Sequence, residues 1–376
     1  MPEDPVGKKE MRGLRNALTA KNISAGWLYA YVHFATEVIC FYCLAKQTGD
    51  SAFLWLFPLV YDCLAFVPQA FIGALCDRYP KLHPGAAGLG LMAFAGISFW
   101  LGILPGRYPA LIVLCIGNCF VHVNGAEVTL RCSDGRLSHS AIFVSGGAFG
   151  VVTGRLLAGT VVPYWAIALF ALSAIPFALL AETYKDNSKP AEELCRNFNY
   201  AAENIPAAVV IILATLIVIV RGYMGYGIPT AWKKTVFQTI LLYATMGIGK
   251  AAGGICADAW GVKKTALFSA AAALPFLMLG DQHMTVSLIG VMFFSMTMSI
   301  TLALLVSVLK GKPGIAFGYT TIGLFLGTAP IFFFKFTTVR SNCIIMAILT
   351  ALCLVGMALI IKKDEKQIPD AGNKAG

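Results

Sequence analysis

Gly73-Ala-Leu-Cys-Asp77-Arg78-Tyr-Pro-Lys81 lies where a long apolar run gives way to charge. A weaker copy, Gly254-Ile-Cys-Ala-Asp258-Ala-Trp-Gly261-Val-Lys263-Lys264, occupies the same kind of boundary later in the chain. Asp77 and Asp258 are 181 positions apart in 376, a spacing that predicts two similar halves.

Outward from these loops the chain is apolar. Hydrophobic residues make up 58%, charged residues 13%, and the mean hydropathy is +0.73. Soluble domains carry about 25% charge, and apolar runs of about 20 residues mark bilayer spans, so the composition predicts a polytopic membrane protein. Its 37 glycines and 17 prolines, many inside apolar runs, suit close packing of membrane helices. The eleven cysteines sit mostly in apolar segments without paired metal-ligand spacing and read as small buried hydrophobes. No cleavable signal of the usual form precedes the first span.

Spans are predicted over 27–45, 51–75, 85–104, 110–131, 139–161, 164–181, 205–228, 236–257, 263–280, 285–309, 314–336 and 342–361. The expected organisation is a leader (1–26), a six-helix bundle (27–181), a linker (182–204) with room for a short surface helix, a second six-helix bundle (205–361) and a tail (362–376). The leader holds Lys8, Lys9, Arg12, Arg15 and Lys21, and 20 of the 29 Lys and Arg residues fall on one side if the leader, even-numbered connections and tail share it. That bias places both termini in the cytoplasm of a plasma or inner membrane. The net charge of +10 therefore reads as topology and lipid contact, not nucleic-acid binding.

Both quoted loops resemble the signature of the major facilitator superfamily, in which a glycine is followed after three residues by Asp-Arg, then one residue, glycine and a base. The first copy carries Pro80 where the pattern has glycine, and the second carries Ala259 where it has arginine. Arg131-Cys-Ser-Asp-Gly135 loosely resembles a further element of the family, and Gly146, Gly147, Gly150, Gly154 and Gly159 resemble the glycine-rich fifth helix of its antiporters, without the Gly-Pro pair. The resemblance implies an all-α membrane fold of twelve transmembrane helices in two pseudo-symmetric six-helix bundles, rocking about a central cavity. It also implies gating or structural roles for Gly73, Asp77, Arg78, Gly254, Asp258, Gly261, Lys263 and Lys264. Asp77 is expected to accept backbone N–H groups at the start of a neighbouring helix, and Lys263 and Lys264 to meet head groups or set topology.

Charge inside a span is costly and tends to face a cavity or a partner. His33 and Glu37 share one face of span 1, one turn apart. With Asp62 of span 2 they are the proton-coupling candidates, because a buried carboxylate responds strongly to nearby cations. Glu127 and Arg131 are spaced as an intrahelical ion pair near the end of span 4 and are given a gating or structural role. Arg155, Arg221 and Lys250, with Tyr31, His122 and Asn124, are the substrate-binding candidates. Counting Arg131, four intramembrane cations face the three acids Glu37, Asp62 and Glu127, an excess that favours an anionic substrate. Trp27, Tyr29, Phe41, Tyr42, Tyr223 and Tyr226 are further cavity candidates, while Trp55, Trp165 and Trp232 are expected at membrane interfaces.

The chain has no Walker lysine loop, nucleophile triad or metal-ligand spacing among its five histidines, so neither enzyme chemistry, a cofactor nor a metal is expected. The leading expectation is a monomeric secondary active transporter of a small solute, anionic if the positive excess faces the cavity, coupled to a proton or a counter-substrate. A proton-coupled exporter of amphipathic drug-like or lipid-like compounds is the alternative with the same fold. A non-transporting membrane receptor or scaffold is the alternative from another class.

Overall fold

Within a bilayer the backbone must satisfy its own hydrogen bonds, so apolar segments of this length have the helix as their solution. The computed structural model describes residues 23–48, 55–185, 189–228, 230–280, 282–334 and 339–364. The basic residues expected in the leader, the tail from 365 onward, Pro229 and the Tyr226 side chain lie outside the described residues.

Among the described residues, twelve helices are long and apolar enough to cross a membrane. They are α1 (Ser24–Gln47), α2 (Leu56–Arg78), α3 (Pro84–Leu101), α4 (Arg107–Arg131), α5 (Ser138–Ala158) and α6 (Tyr164–Glu182) in the first half. The second half holds α7 (Ala207–Gly225), α8 (Val236–Trp260), α9 (Val262–Leu279), α10 (Met284–Val308), α11 (Pro313–Phe332) and α12 (Cys343–Ile360). The interruptions have local causes. α2 breaks between Phe66 and Gln69 at Pro68, and α6 breaks ahead of Pro176, since neither proline can donate to the ladder.

In the first half α1 packs along α5, and α3 against α4 and α6. In the second, α7 packs along α11, α8 on α10, and α9 on α10 and α12. The principal contacts between halves are α2 with α11 and α8 with α5. Adding six to the number of the first-half helix and subtracting six from that of the second-half helix turns the first of these pairs into the second, so the interface repeats the pseudo-symmetry of the bundles.

The glycines of α5 explain its grip on α1. A Cβ at Gly146, Gly150 or Gly154 would run into the carbonyl oxygens of Ala30, Phe34 and Val38 respectively, two rows each advancing four residues at a time. Backbones approach this closely only where one side lacks side chains. Gly150→Val should accordingly destabilise the protein by about 2–3 kcal/mol. Gly90→Ala, where a Cβ meets nothing within 4 Å, should leave thermal unfolding in detergent unchanged.

The linker is partly built into the bundles. Glu182 and Lys185, expected at the start of a polar connection, are buried against the first half. A one-turn helix, Ala191–Leu194, follows, with Ala191, Cys195 and Phe198 turned inward. Burial pushes the Cys195 thiol up to about 12, so it stays protonated. Tyr200 then ties the halves together, donating its hydroxyl to the Gly135 carbonyl (2.6 Å) and its N–H to Ser307 Oγ (3.1 Å). Gly135 has φ +85°, and a Cβ there would strike Asn197.

Candidate functional site

Three side chains meet at mid-depth in the first half. Glu37 of α1 places Oε1 3.5 Å from His33 Nε2 and 3.1 Å from His122 Nε2 of α4. The two imidazole Nε2 atoms are 2.9 Å apart. All three residues are buried, each 7% exposed. Gly147 makes room for the cluster, since a Cβ there would strike the His33 ring.

The hydrogen bonds fix the tautomers. His33 Nδ1 lies 3.0 Å from the Phe143 carbonyl oxygen, and His122 Nδ1 lies 3.0 Å from that of Asn118. A carbonyl only accepts, so both Nδ1 atoms carry hydrogen and donate. Each neutral ring then turns a bare lone pair at Nε2 toward the other. Two lone pairs at that distance repel unless a cation lies between or beside them. One shared proton would resolve the clash, with the Glu37 carboxylate as its counter-charge in a region where net charge is expensive.

Two further cations lie near the cluster, Arg155 toward the end of the protein opposite the signature loops and Lys250 closer to those loops. Arg155 of α5 is exposed, donates to the Tyr243 hydroxyl of α8 at 2.9 Å and lies over the Phe41 ring at 5.0 Å. Lys250, two turns further along α8, is half-buried and within electrostatic reach of Glu37. Neither forms a salt bridge among the described residues. Asp62 of α2 is buried and interacts electrostatically with both Glu37 and Arg155.

At the signature end the halves are pinned twice, in the same way. Asp77, closing α2, accepts from the N–H groups of Gly314 and Ile315 at the start of α11, at 2.9 and 2.8 Å. Asp258, closing α8, accepts from those of Leu137 and Ser138 at the start of α5, at 2.7 and 2.9 Å. Each carboxylate satisfies N–H groups that a helix start leaves without an internal partner, and meets the positive end of its dipole. Gly73 faces Gly314 backbone to backbone, and Gly254 faces Leu137 and Ala141, so both pins sit beside close helix crossings.

Solved structures share the fold that holds these residues. The chain aligns with the human organic anion transporter MFSD10 (TETRAN) at a TM-score of 0.62 and 13% identity, covering 93% of this chain and 99% of that one. It aligns with FucP, a major facilitator superfamily transporter in the outward conformation, at a TM-score of 0.61 and 13% identity, covering 93% and 98%. The chain has the major facilitator superfamily fold. No protein-family model matches the sequence, and no curated protein matches it.

Within this fold the remaining candidates fall into separate places. Asn124 belongs to a polar network near the signature end of the first half. Its Oδ1 accepts from the Gly85 N–H (2.8 Å) and the Tyr29 hydroxyl (2.9 Å), and its Nδ2 donates to Glu182. Glu182 also pairs with His83 (2.8 Å) and Lys185 (3.2 Å), while Glu127 pairs with Arg131 at 2.8 Å and lies 3.8 Å from Lys185. Tyr31 packs on Phe170 and Phe177 of α6 and meets Ser173 Oγ at 3.2 Å. Arg221 points into the second bundle, over the Phe294 ring and beside a cavity of about 10 Å³, the room one water needs, lined by α7, α9, α10 and α12.

The signature-end bases also separate. Arg78 is exposed beside the Tyr79 ring, and Lys264 is exposed. Lys263 instead donates to the carbonyls of Ala358 and Ile361, both at 2.8 Å, closing the end of α12. Gly261, with φ +108°, opens α9, where Asp364 accepts from the N–H groups of Lys263 and Lys264. Trp55 and Trp165 are exposed as expected of interface residues, whereas Trp232 is buried. His83, Glu182, Lys185 and Tyr243 were not legible as site residues. Their neighbours come from other helices, and Glu182 and Lys185 read as part of a solvated connection.

Proposed function

We propose that the protein is a secondary active transporter that carries a small organic anion by alternating access, in symport with a proton held by Glu37, His33 and His122. The observation that carries this reading is the pair of cations, Arg155 and Lys250, that form no salt bridge among the described residues, on the two helices that face each other across the halves. They stand beyond the pinned end and beside the proton site. A guanidinium presents a planar fork of donors to a carboxylate, and Tyr243 holds it in place. Symport balances the charge of the arriving anion and lets two opposite charges cross the low-dielectric centre together.

The organic anion transporter among the similar structures adds support for the anionic substrate class. The signature end is assigned to the cytoplasm by the basic bias, so the pinned form opens away from it. The membrane is a plasma or inner membrane, and one chain holds both halves of the transport path.

Counterflow in proteoliposomes tests the reading. Vesicles preloaded with an unlabelled organic anion should take up the labelled one, and Arg155→Ala should raise the half-saturating concentration by about 10- to 100-fold, the worth of a charge-assisted contact of about 1.5–3 kcal/mol. Counterflow confined to lipophilic cations and indifferent to Arg155 would overturn the assignment.

A further inference from the structure

We infer that the His33–Glu37–His122 cluster is also a binding site for a first-row divalent metal ion, of the zinc, cobalt or iron(II) class. The inference rests on the cluster's geometry and not on the transport reading. Sequence spacing offers no such site, because His33 and His122 are 89 positions apart on different helices.

The three donor atoms form a triangle with sides of 2.9, 3.1 and 3.5 Å. Its circumradius is about 1.85 Å, less than the metal–nitrogen and metal–oxygen distances of about 2.0–2.2 Å. One point about 0.9 Å out of the plane therefore lies within bonding distance of all three atoms, at about 2.05 Å from each. Two imidazoles and one carboxylate converging on one point form a donor set that suits such ions.

The surroundings fit as well. Ligating histidines nearly always donate their other ring N–H to a carbonyl or carboxylate, which fixes the ring and raises its basicity. Both rings do so here, to Phe143 and Asn118, with the bare Nε2 atoms converging. The cluster is buried, so competing water is scarce. Facing it are the Cys40 thiol from α1, Tyr61 and Asp62 from α2, and Lys250 from α8, each within electrostatic reach of Glu37. Asp62 interacts with Arg155 as well as with Glu37, and Glu37 is the carboxylate whose oxygen faces both imidazoles. Metal and proton need the same lone pairs, so they exclude each other, and metal binding should tighten as pH rises.

The test is equilibrium titration of the purified, metal-stripped full chain in detergent with Co²⁺, followed by displacement with Zn²⁺. One ion per chain is expected, with affinity falling by about 100-fold in His33→Gln and in His122→Gln and unchanged in His283→Gln, an exposed histidine. X-ray absorption of Co²⁺ on the unaltered chain gives a second readout that needs no variant, and should show two imidazoles and oxygen donors. Equal binding by all variants, no stoichiometric binding, or a sulfur-dominated shell drawn from the eleven cysteines would overturn the inference. Loss of anion counterflow with the metal site intact would count against the transport reading alone.

Discussion

Glu37→Gln should reduce proton-driven anion accumulation by about 100-fold while leaving counterflow in place. The carboxylate is the negative charge that balances the proton shared by His33 and His122, at 3.1 and 3.5 Å from their Nε2 atoms. Removing one partner of a buried charged set costs about 3 kcal/mol or more, because the remaining charge is left without compensation. The amide keeps the shape of the side chain but not its charge, so the shared proton loses its counterion. Counterflow exchanges substrate for substrate and needs no net proton movement, so it should persist. Uptake under an imposed pH gradient, compared with counterflow in the same vesicles, checks the result. Equal losses in both assays would mean that Glu37 shapes the path and does not couple it.

The double substitution Asp77→Ala with Asp258→Ala should release the signature end. Each carboxylate accepts two backbone N–H groups from the opposite half, and each is worth about 1–2 kcal/mol as a charged helix cap. Together they favour the pinned form by about 2–4 kcal/mol, so their loss shifts the population by roughly 30- to 1,000-fold. Cys76, buried beside Asp77 at this end, provides a native reporter. Its reaction with a membrane-impermeant thiol reagent should accelerate modestly in either single variant and multiplicatively in the double. An unchanged labelling rate would show that the pins do not hold the gate.

The pins also show how far the sequence could be read. Asp77 and Asp258 stood out because a short pattern recurs at the ends of two apolar runs, and the family resemblance implied that Asp77 meets a helix start. The partners themselves lie 237 and 121 positions away, and no local pattern names them. Depth was legible in the same sense. Residue counting along α7 places Arg221 inside the membrane, but the rotation of the helix about its axis turns it toward Phe294 and the interior of the second bundle.

The triad divides along the same line. His33 and Glu37 are legible as a pair because a helix puts residues four apart on one face. His122 joins them only because α4 packs against α1, which is a tertiary fact. The same holds for Glu182 and Lys185. Read along the chain they begin a charged connection, yet they are buried because His83, ahead of α3, and Asn124 and Glu127, on α4, supply their partners. The glycines of α5 carried a family association in the sequence and have a packing reason in the fold, the carbonyl ridge of α1.

The most direct test of proton-coupled anion transport is the pH of a weakly buffered medium around unenergised proteoliposomes when an organic anion is added. Symport predicts that the medium turns alkaline as protons follow the anion inward, with the signal absent in Glu37→Gln. Anion entry with no change in external pH would contradict the account.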